Sequence, residues 1–277
     1  MKTLIKTRNE LQRAGRWDID FHLPAEGIRN FPPELLRRVD QLADMPKDHR
    51  DPTKNPEQVF LYIDISSIDV TRGVISNPQE VEGADAPSRA RKVVSAFDIV
   101  ISTCRPTRGA IAVVPPKLHN QVASTGFSIV RARGGVNPYY LFYALRLPST
   151  LEQFRKWSTG SSYPAILDSD VKKTLIPVPD SPTQDAIAAK VVAAMREHDR
   201  LIRSANGELS LTLGAITASL AGKDLGPAEA PGVEEEDTTG ITVAEILAVL
   251  RDLPELSVDS NGWRSNSATQ LLLTEVD

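Results

Sequence analysis

The sequence predicts an α+β fold: an irregular, mostly antiparallel, β-rich domain carrying short helices, followed by one long helix. Three observations predict it. Between residues 59 and 132, short runs rich in Val, Ile, Phe and Tyr recur at intervals set by Gly and Pro. Pro138 opens a run of helical character, and a proline suits the first helical position, where its missing N–H has no partner to lose. From Thr183 to about Lys223 apolar residues repeat at helical spacing with no proline between them.

Taken in order, residues 1–50 form an N-terminal segment broken by Pro24, Pro32, Pro33 and Pro46. Within it Glu34–Ala43 is expected to be a short helix with Leu35, Leu36, Val39 and Leu42 on one face. Residues 51–182 form the β-rich domain. Its strands are expected at Val59–Ile65, Val74–Ile75, Arg91–Val94, Asp98–Thr103, Ala110–Val114 and Ser128–Ala132, with Thr71–Gly73 as a turn. Helices are expected at Tyr139–Leu147 and Leu151–Trp157, then a polar loop from Thr159 to Pro164, and an extended exit through Asp168 and Asp170 to Pro179. Residues 183–225 form the long helix, about 60 Å if unbroken. Thr183, Gln184 and Asp185 are placed to cap it. Its stripe runs through Ile187, Val191, Ala194, His198 and Leu201, and continues one position over through Leu209, Leu213 and Ile216. A stripe of that length needs a partner helix, and Asn206-Gly207 is the point where the helix is expected to weaken. Residues 226–277 are an acidic linker and tail, with one short helix expected over 241–253.

Composition narrows the class. Net charge is −4, but Gly226–Asp277 carries eleven acids against two basic residues, leaving residues 1–225 at +5. Ala86–Arg146 holds nine Lys and Arg against one Asp. A basic body with an acidic tail fits a polyanion partner, although charge alone is equally an ordinary solvated surface. No apolar run reaches the length of a membrane span, and the charged N-terminus lacks the apolar stretch of a signal peptide. The single cysteine, Cys104, excludes an internal disulfide and a cysteine-based zinc site, so a cytoplasmic location is expected.

Signs of catalysis are sparse. Phe31-Pro32-Pro33-Glu34 and Val114-Pro115-Pro116-Lys117 both lack the polar first residue and aromatic last residue of an adenine methyltransferase motif. No Gly-rich loop joins a strand to a helix, and His22, His49, His119 and His198 lack metal-ligand spacing. No catalytic residue, metal or cofactor is therefore assigned to the chain. Asp170-Val171-Lys172 matches half of a nuclease metal site, which keeps a metal-dependent nuclease centred on Asp168, Asp170 and Lys172 as one alternative. A protein-interaction scaffold that binds no DNA is the other.

Three segments have the composition of contact surface. Residues 87–92 gather Arg89, Arg91 and Lys92 beside a strand. Residues 102–109 set Arg105 and Arg108 among hydroxyls in a loop stiffened by Pro106. Residues 160–164 offer Ser161 and Tyr163. Arginine pairs with phosphate as a fork and reaches guanine through the same geometry, and hydroxyls contact phosphates or base edges. Turns are built from Gly, Pro and Ser in any case, so each segment is weak alone.

Together, and in this order, they resemble the target-recognition domain of type I restriction–modification specificity subunits. Tyr62-Ile63-Asp64-Ile65-Ser66-Ser67-Ile68 with Gly73-Val74-Ile75 resembles the family's opening strand pair. Ala86–Arg91, Val93-Val94 and Asp98–Pro106 resemble its central block, and Val122-Ala123-Ser124-Thr125-Gly126-Phe127 the next. Gly160–Ile166, Asp170, Ile176–Pro179, Gln184 and Ile187 resemble the closing block that leads into a spacer helix. The likeness covers roughly residues 55–220. It implies a non-catalytic chain that docks on double-stranded DNA and reads a short half-site. It implies as partners an adenine methyltransferase subunit using S-adenosylmethionine, and a restriction translocase or other phage-defence effector. Contact with DNA is expected at Arg89, Arg91, Lys92, Arg105, Arg108, Ser124, Ser161 and Tyr163, and partner or dimer contact at Ile187, Val191, Ala194, Leu201, Leu209, Leu213 and Ile216. The family carries two recognition domains and two spacer helices where this sequence shows one of each. A homodimer joined through the long helix is therefore expected, reading a two-part palindromic site.

Overall fold

The computed structural model describes residues 4–160, 162–221 and 242–252. The acidic linker and most of the tail, like Ser161, lie outside the described residues. The order of elements is α1 (Arg8–Ala14), α2 (Ile19–His22), β1 (Leu36–Arg38), α3 (Val39–Leu42), β2 (Ala43–Asp44), β3 (Val59–Ile63), β4 (Ile68–Asp69), β5 (Val74–Ile75), β6 (Gln79–Glu82) and β7 (Ala90–Val93). It continues with β8 (Ile99–Ser102), β9 (Ile111–Val113), β10 (Val122–Ser124), β11 (Phe127–Ala132), α4 (Pro138–Leu145), α5 (Pro148–Trp157), α6 (Asp168–Lys173), β12 (Leu175–Pro177), α7 (Ser181–Leu220) and α8 (Val243–Asp252).

Two four-stranded sheets make the β-rich body, in the orders β6-β3-β10-β7 and β2-β11-β8-β9. Every pairing is antiparallel except β3 with β10, where Val122 lies opposite Tyr62. The α+β class and the irregular, mostly antiparallel character therefore hold. The β8 run Ile99-Val100-Ile101 is buried on both faces. One core joins Val100 of β8 to Val94, Phe127 and Ile129. The other joins Ile99, Ile101 and Ile111 to Leu141, Leu145, Phe154 and Ile176. Val39, Leu42 and Ala43 from the N-terminal segment belong to that second core.

The expected helix over Glu34–Ala43 is corrected. Leu36–Arg38 pairs as a strand with β12, Leu36 opposite Pro177, and only Val39–Leu42 is helical. Tertiary pairing has overridden helix propensity there. The extended exit after Ile166 contains α6, and β6 occupies a stretch to which the sequence assigned no element. Asn206-Gly207 does not break α7, which runs 40 residues from a cap at Asp180, whose carboxylate accepts the Thr183 N–H at 3.1 Å.

Helix α7 is held to the body over its first half. Asn137 caps α4 through the Tyr139 and Tyr140 N–H groups and donates to Asp185 at 2.7 Å, while Gln184 Oε1 accepts the Asn137 N–H at 3.1 Å. Further along, Arg72, in the β4–β5 turn, bridges Asp69 at 2.8 Å and Asp199 at 2.5 Å. Tyr140 donates to the Pro177 carbonyl at 2.5 Å, and burial pushes its phenol up to about 12, so it stays a donor.

The N-terminal segment is strapped to α5 by charge. Asp20 accepts from Arg155 at 2.7 Å and Lys156 at 3.2 Å, and Lys156 also donates to the Asp20 and Leu23 carbonyls. The Arg155 hydrogen bond holds the Asp20 carboxyl below its usual range, and Arg16 does the same for Asp18. A carboxyl lowered by folding stabilises fully above its unfolded value and loses that contribution as pH falls through the folded one. Residues 4–23 are therefore expected to release in acid before the sheets do. Hydrogen exchange measured from pH 6 down to pH 3 checks this, and simultaneous opening of strap and sheets would count against it.

Candidate nucleic-acid interface

Four loops meet at one end of the sheets through a chain of backbone hydrogen bonds. The Thr125 N–H donates to the Arg89 carbonyl at 2.8 Å. The Thr103 N–H donates to the Gly126 carbonyl at 2.9 Å, and the Thr103 hydroxyl reaches the same oxygen at 2.9 Å. The Ile166 N–H donates to Thr103 at 3.0 Å, and the Arg105 N–H to the Pro164 carbonyl at 2.7 Å. Residues distant in sequence, 87–89, 102–108, 124–126 and 159–166, thus form one rim. Gly160 turns the last loop at φ 93°, where a Cβ would sit 3.0 Å from the Tyr163 carbonyl.

The rim sorts the expected contacts. Arg89 and Arg108 are exposed on it. Arg105 lies with its guanidinium carbon 4.8 Å from the centre of the Tyr163 ring, and Tyr163 is 69% exposed. Ser124 is only 3% exposed, and its hydroxyl accepts the Gly126 N–H at 3.2 Å. A bulge between Ala123 and Ser124 shifts the register there, and the hydroxyl that reaches the surface is that of Thr125. Arg91 and Lys92 are half-buried with internal work to do. Arg91 bridges Asp51 at 3.3 Å, and Lys92 donates to the Phe127 carbonyl at 2.5 Å.

Partnership separates contact cations from structural ones. Residues 51–182 contain nine arginines. Arg72, Arg91, Arg131, Arg133 and Arg155 bridge carboxylates. Arg146 is held by the carbonyls of Val70, Thr71, Gly109 and Ile111. Among the described residues, Arg89, Arg105 and Arg108 alone of the nine meet no carboxylate and no carbonyl closer than 3.5 Å, and all three are on the rim. Three uncompensated guanidiniums held at one end, beside an exposed aromatic ring and hydroxyls, make a surface suited to an anionic backbone and stacked bases.

Two of the three residues of the nuclease alternative are engaged elsewhere. Asp170 sits in α6 as the capping partner of the Leu167 N–H at 2.8 Å and of Lys173 at 2.6 Å. Lys172, two residues on in the same helix, is turned by roughly 200° from it. Asp168 accepts instead from the Ser128 hydroxyl. No group of three His, Cys, Asp or Glu among the described residues is placed to hold a metal.

The expected helix contacts divide in two. Ile187 and Val191, together with Met195, are partly buried and pack on this chain's own core. Ala194 is exposed, and Leu201, Leu209, Leu213 and Ile216 are each more than half exposed. Beyond Asp199 the large apolar side chains of the helix stand exposed while Ala218 is buried, a division that the spacing of apolar residues did not signal.

The sequence reading also missed Arg16 and Trp17. Arg16 donates to the Ser158 carbonyl at 3.4 Å, beside the Tyr163 loop, and Trp17 is 67% exposed.

No family model matches the chain. It is 28% identical over 171 residues to the type I restriction enzyme HindI specificity subunit of Haemophilus influenzae, covering 60% of this chain and 36% of that protein. The fold matches the crystal structure of the HsdS subunit from Thermoanaerobacter tengcongensis with a TM-score of 0.54 and 40% identity, over 73% of this chain and 54% of that one. It matches a chain described in work on complex assembly and conformational transition of the type I R-M system with a TM-score of 0.53 and 41% identity, over 71% and 52%. The chain thus spans 36% of the curated relative and about half of each solved chain. Sequence identity of 40% carried on a shared arrangement of sheets and helix marks common descent, and the chain belongs to the family of type I restriction–modification specificity subunits.

Proposed function

We propose that this chain reads a DNA half-site without catalysing any step, and directs a partner adenine methyltransferase to it. S-adenosylmethionine would be the partner's cofactor, with none held by this chain. A restriction translocase or another defence effector would join the same complex where the system cuts, and the setting would be cytoplasmic. The observation that carries this reading is the placement of the three uncompensated arginines, Arg89, Arg105 and Arg108, on one stitched rim with Tyr163. Membership of a family whose solved relatives include an HsdS subunit supports it. No described helix is long and apolar enough to cross a membrane. The exposed half of α7 would carry the second copy in a homodimer, pairing two half-sites.

Co-expression with the neighbouring methyltransferase and mapping of adenine methylation in a host genome tests the reading. A two-part motif, lost when this chain is omitted, is the expected result. Methylation without a motif would refute it.

Arg89 and Arg108 are expected to serve the phosphates. Neutralising a phosphate releases condensed counterions, with a slope of about 0.9 in log K against log salt for each contact. Arg89→Gln with Arg108→Gln is therefore expected to lower that slope by about two and leave the motif unchanged. Titration of labelled duplex at several salt concentrations measures it, and an unchanged slope would remove both residues from the interface.

A further inference from the structure

We infer that Arg105 is a specificity-determining residue that reads a guanine through its fork, held in place by Tyr163. The inference rests on the DNA-reading function proposed above and adds to it which residue discriminates, and which base.

Backbone, ring and lack of a counter-charge coincide at this residue. Arg105 lies in the left-handed region, φ 48° and ψ 52°. That conformation is uncommon outside glycine, and the residue before a proline favours extended backbone, so Arg105 ahead of Pro106 is strained on both counts. Two other non-glycine residues share a positive φ, Phe97 and Asn120. Phe97 is buried in the core, and Asn120 is of a type that tolerates the conformation and engages Arg50. Arg105 has neither reason, since its side chain is partly exposed and meets no carboxylate among the described residues. Strain of this kind persists where surrounding structure over-determines it, and here three contacts do. The Arg105 N–H is tied to Pro164, its carbonyl accepts the Arg108 N–H at 3.0 Å, and Cys104 bridges Ala165.

The guanidinium is ordered without being consumed. The Tyr163 ring covers one face, and a ring on a face leaves the N–H donors, which lie in the guanidinium plane, able to pair edgewise. The one hydrogen bond it makes, to the Ser162 carbonyl, is 3.5 Å long and weak. A phosphate contact would not require such placement, because a phosphate accepts a mobile cation from many directions. The paired acceptors of guanine, O6 and N7, require a planar fork at a fixed angle. Arg89 and Arg108, exposed and without a stacked ring among the described residues, lack this ordering.

The experiment uses the full chain co-purified with its methyltransferase and duplexes carrying the mapped motif and each single-base variant of it. Arg105→Lys keeps the charge and loses the fork. It is expected to preserve the salt slope and to lose about tenfold or more in discrimination at one G·C pair. Tyr163→Phe is expected to keep that discrimination, and Tyr163→Leu to relax it at the same pair. Arg105→Gly removes the strain and is expected to leave the thermal midpoint unlowered while abolishing the same discrimination, which a merely structural arginine would not do. Full discrimination in Arg105→Lys, an equal loss of affinity for all sequences, or a marked fall in midpoint for Arg105→Gly would each overturn the inference while leaving the reading function standing. A wild-type complex that methylates no motif would overturn the proposed function and this inference together.

Discussion

Asp98→Ala is expected to destabilise the recognition body by about 3 kcal/mol, at the low end of what breaking a buried ion pair costs. Asp98 is fully buried. Its carboxylate accepts from Arg131 Nε at 2.7 Å, from an Arg131 Nη at 2.8 Å and from the Ser95 N–H at 2.8 Å. Its backbone closes the Ser95–Asp98 turn, on which Phe97 is presented to the core at φ 64°. Alanine leaves the Ser95 N–H unpaired and strands the Arg131 charge. Arg131 keeps 37% of its side chain exposed, so water recovers part of the loss. Asp98→Asn keeps one acceptor and is expected to lose about half as much. Burial pushes the Asp98 carboxyl up, against the pull of Arg131. A carboxyl raised by folding gains relative stability as pH falls through the folded value, so the acid release of the N-terminal strap belongs to Asp18 and Asp20 and not to Asp98. Urea denaturation with the m-value compared between variants gives the number, and a loss below about 1 kcal/mol for the alanine variant would show that Arg131 and Ser95 find other partners.

The same turn shows how far the residues themselves could be read. The strands β3, β8, β9 and β11 were legible because branched and aromatic residues cluster in them, and β8 is apolar on both faces because both faces are covered. Residues Leu36–Arg38 were not legible as a strand, because the partner that makes them one lies 141 to 137 residues away in β12, as Leu36 to Pro177 and Arg38 to Leu175. The rim was found by its arginines, but composition does not say which cations are already engaged. Arg91 and Arg105 look alike in sequence, and only the fold brings Asp51 to one and Tyr163 to the other. Ser124 is buried and Thr125 exposed beside a bulge that shifts the register, and the bulge has no local sequence mark. Asp170-Val171-Lys172 keeps a nuclease alternative open in the sequence, and the engagement of Asp170 with Leu167 and Lys173 is visible only once they are wound into the same turn.

Leu209→Glu with Leu213→Glu is expected to raise the dimer dissociation constant more than about a hundredfold without moving the denaturation midpoint of the body. Both side chains lie past Asp199, which is tied to the β4–β5 turn, at 57% and 55% exposure, in line with Leu201 and Ile216. About twenty residues of helix, roughly 30 Å, carry this exposed apolar stripe. Completing the burial of half-exposed leucine or isoleucine contributes about 1 kcal/mol each, so four from each of two copies supply about 8 kcal/mol. Ile202 and Leu220, also exposed, would add to it. Association costs about 4–15 kcal/mol in lost freedom, so the balance is narrow and two lost leucines per copy tip it. Four glutamates brought into one seam add like-charge repulsion. Sedimentation equilibrium across a range of concentrations measures the constant. An unchanged dimer would place the seam elsewhere. A variant that stays dimeric but no longer co-purifies with the methyltransferase would assign the stripe to that partner, and would make this helix the arm by which the reader holds its enzyme.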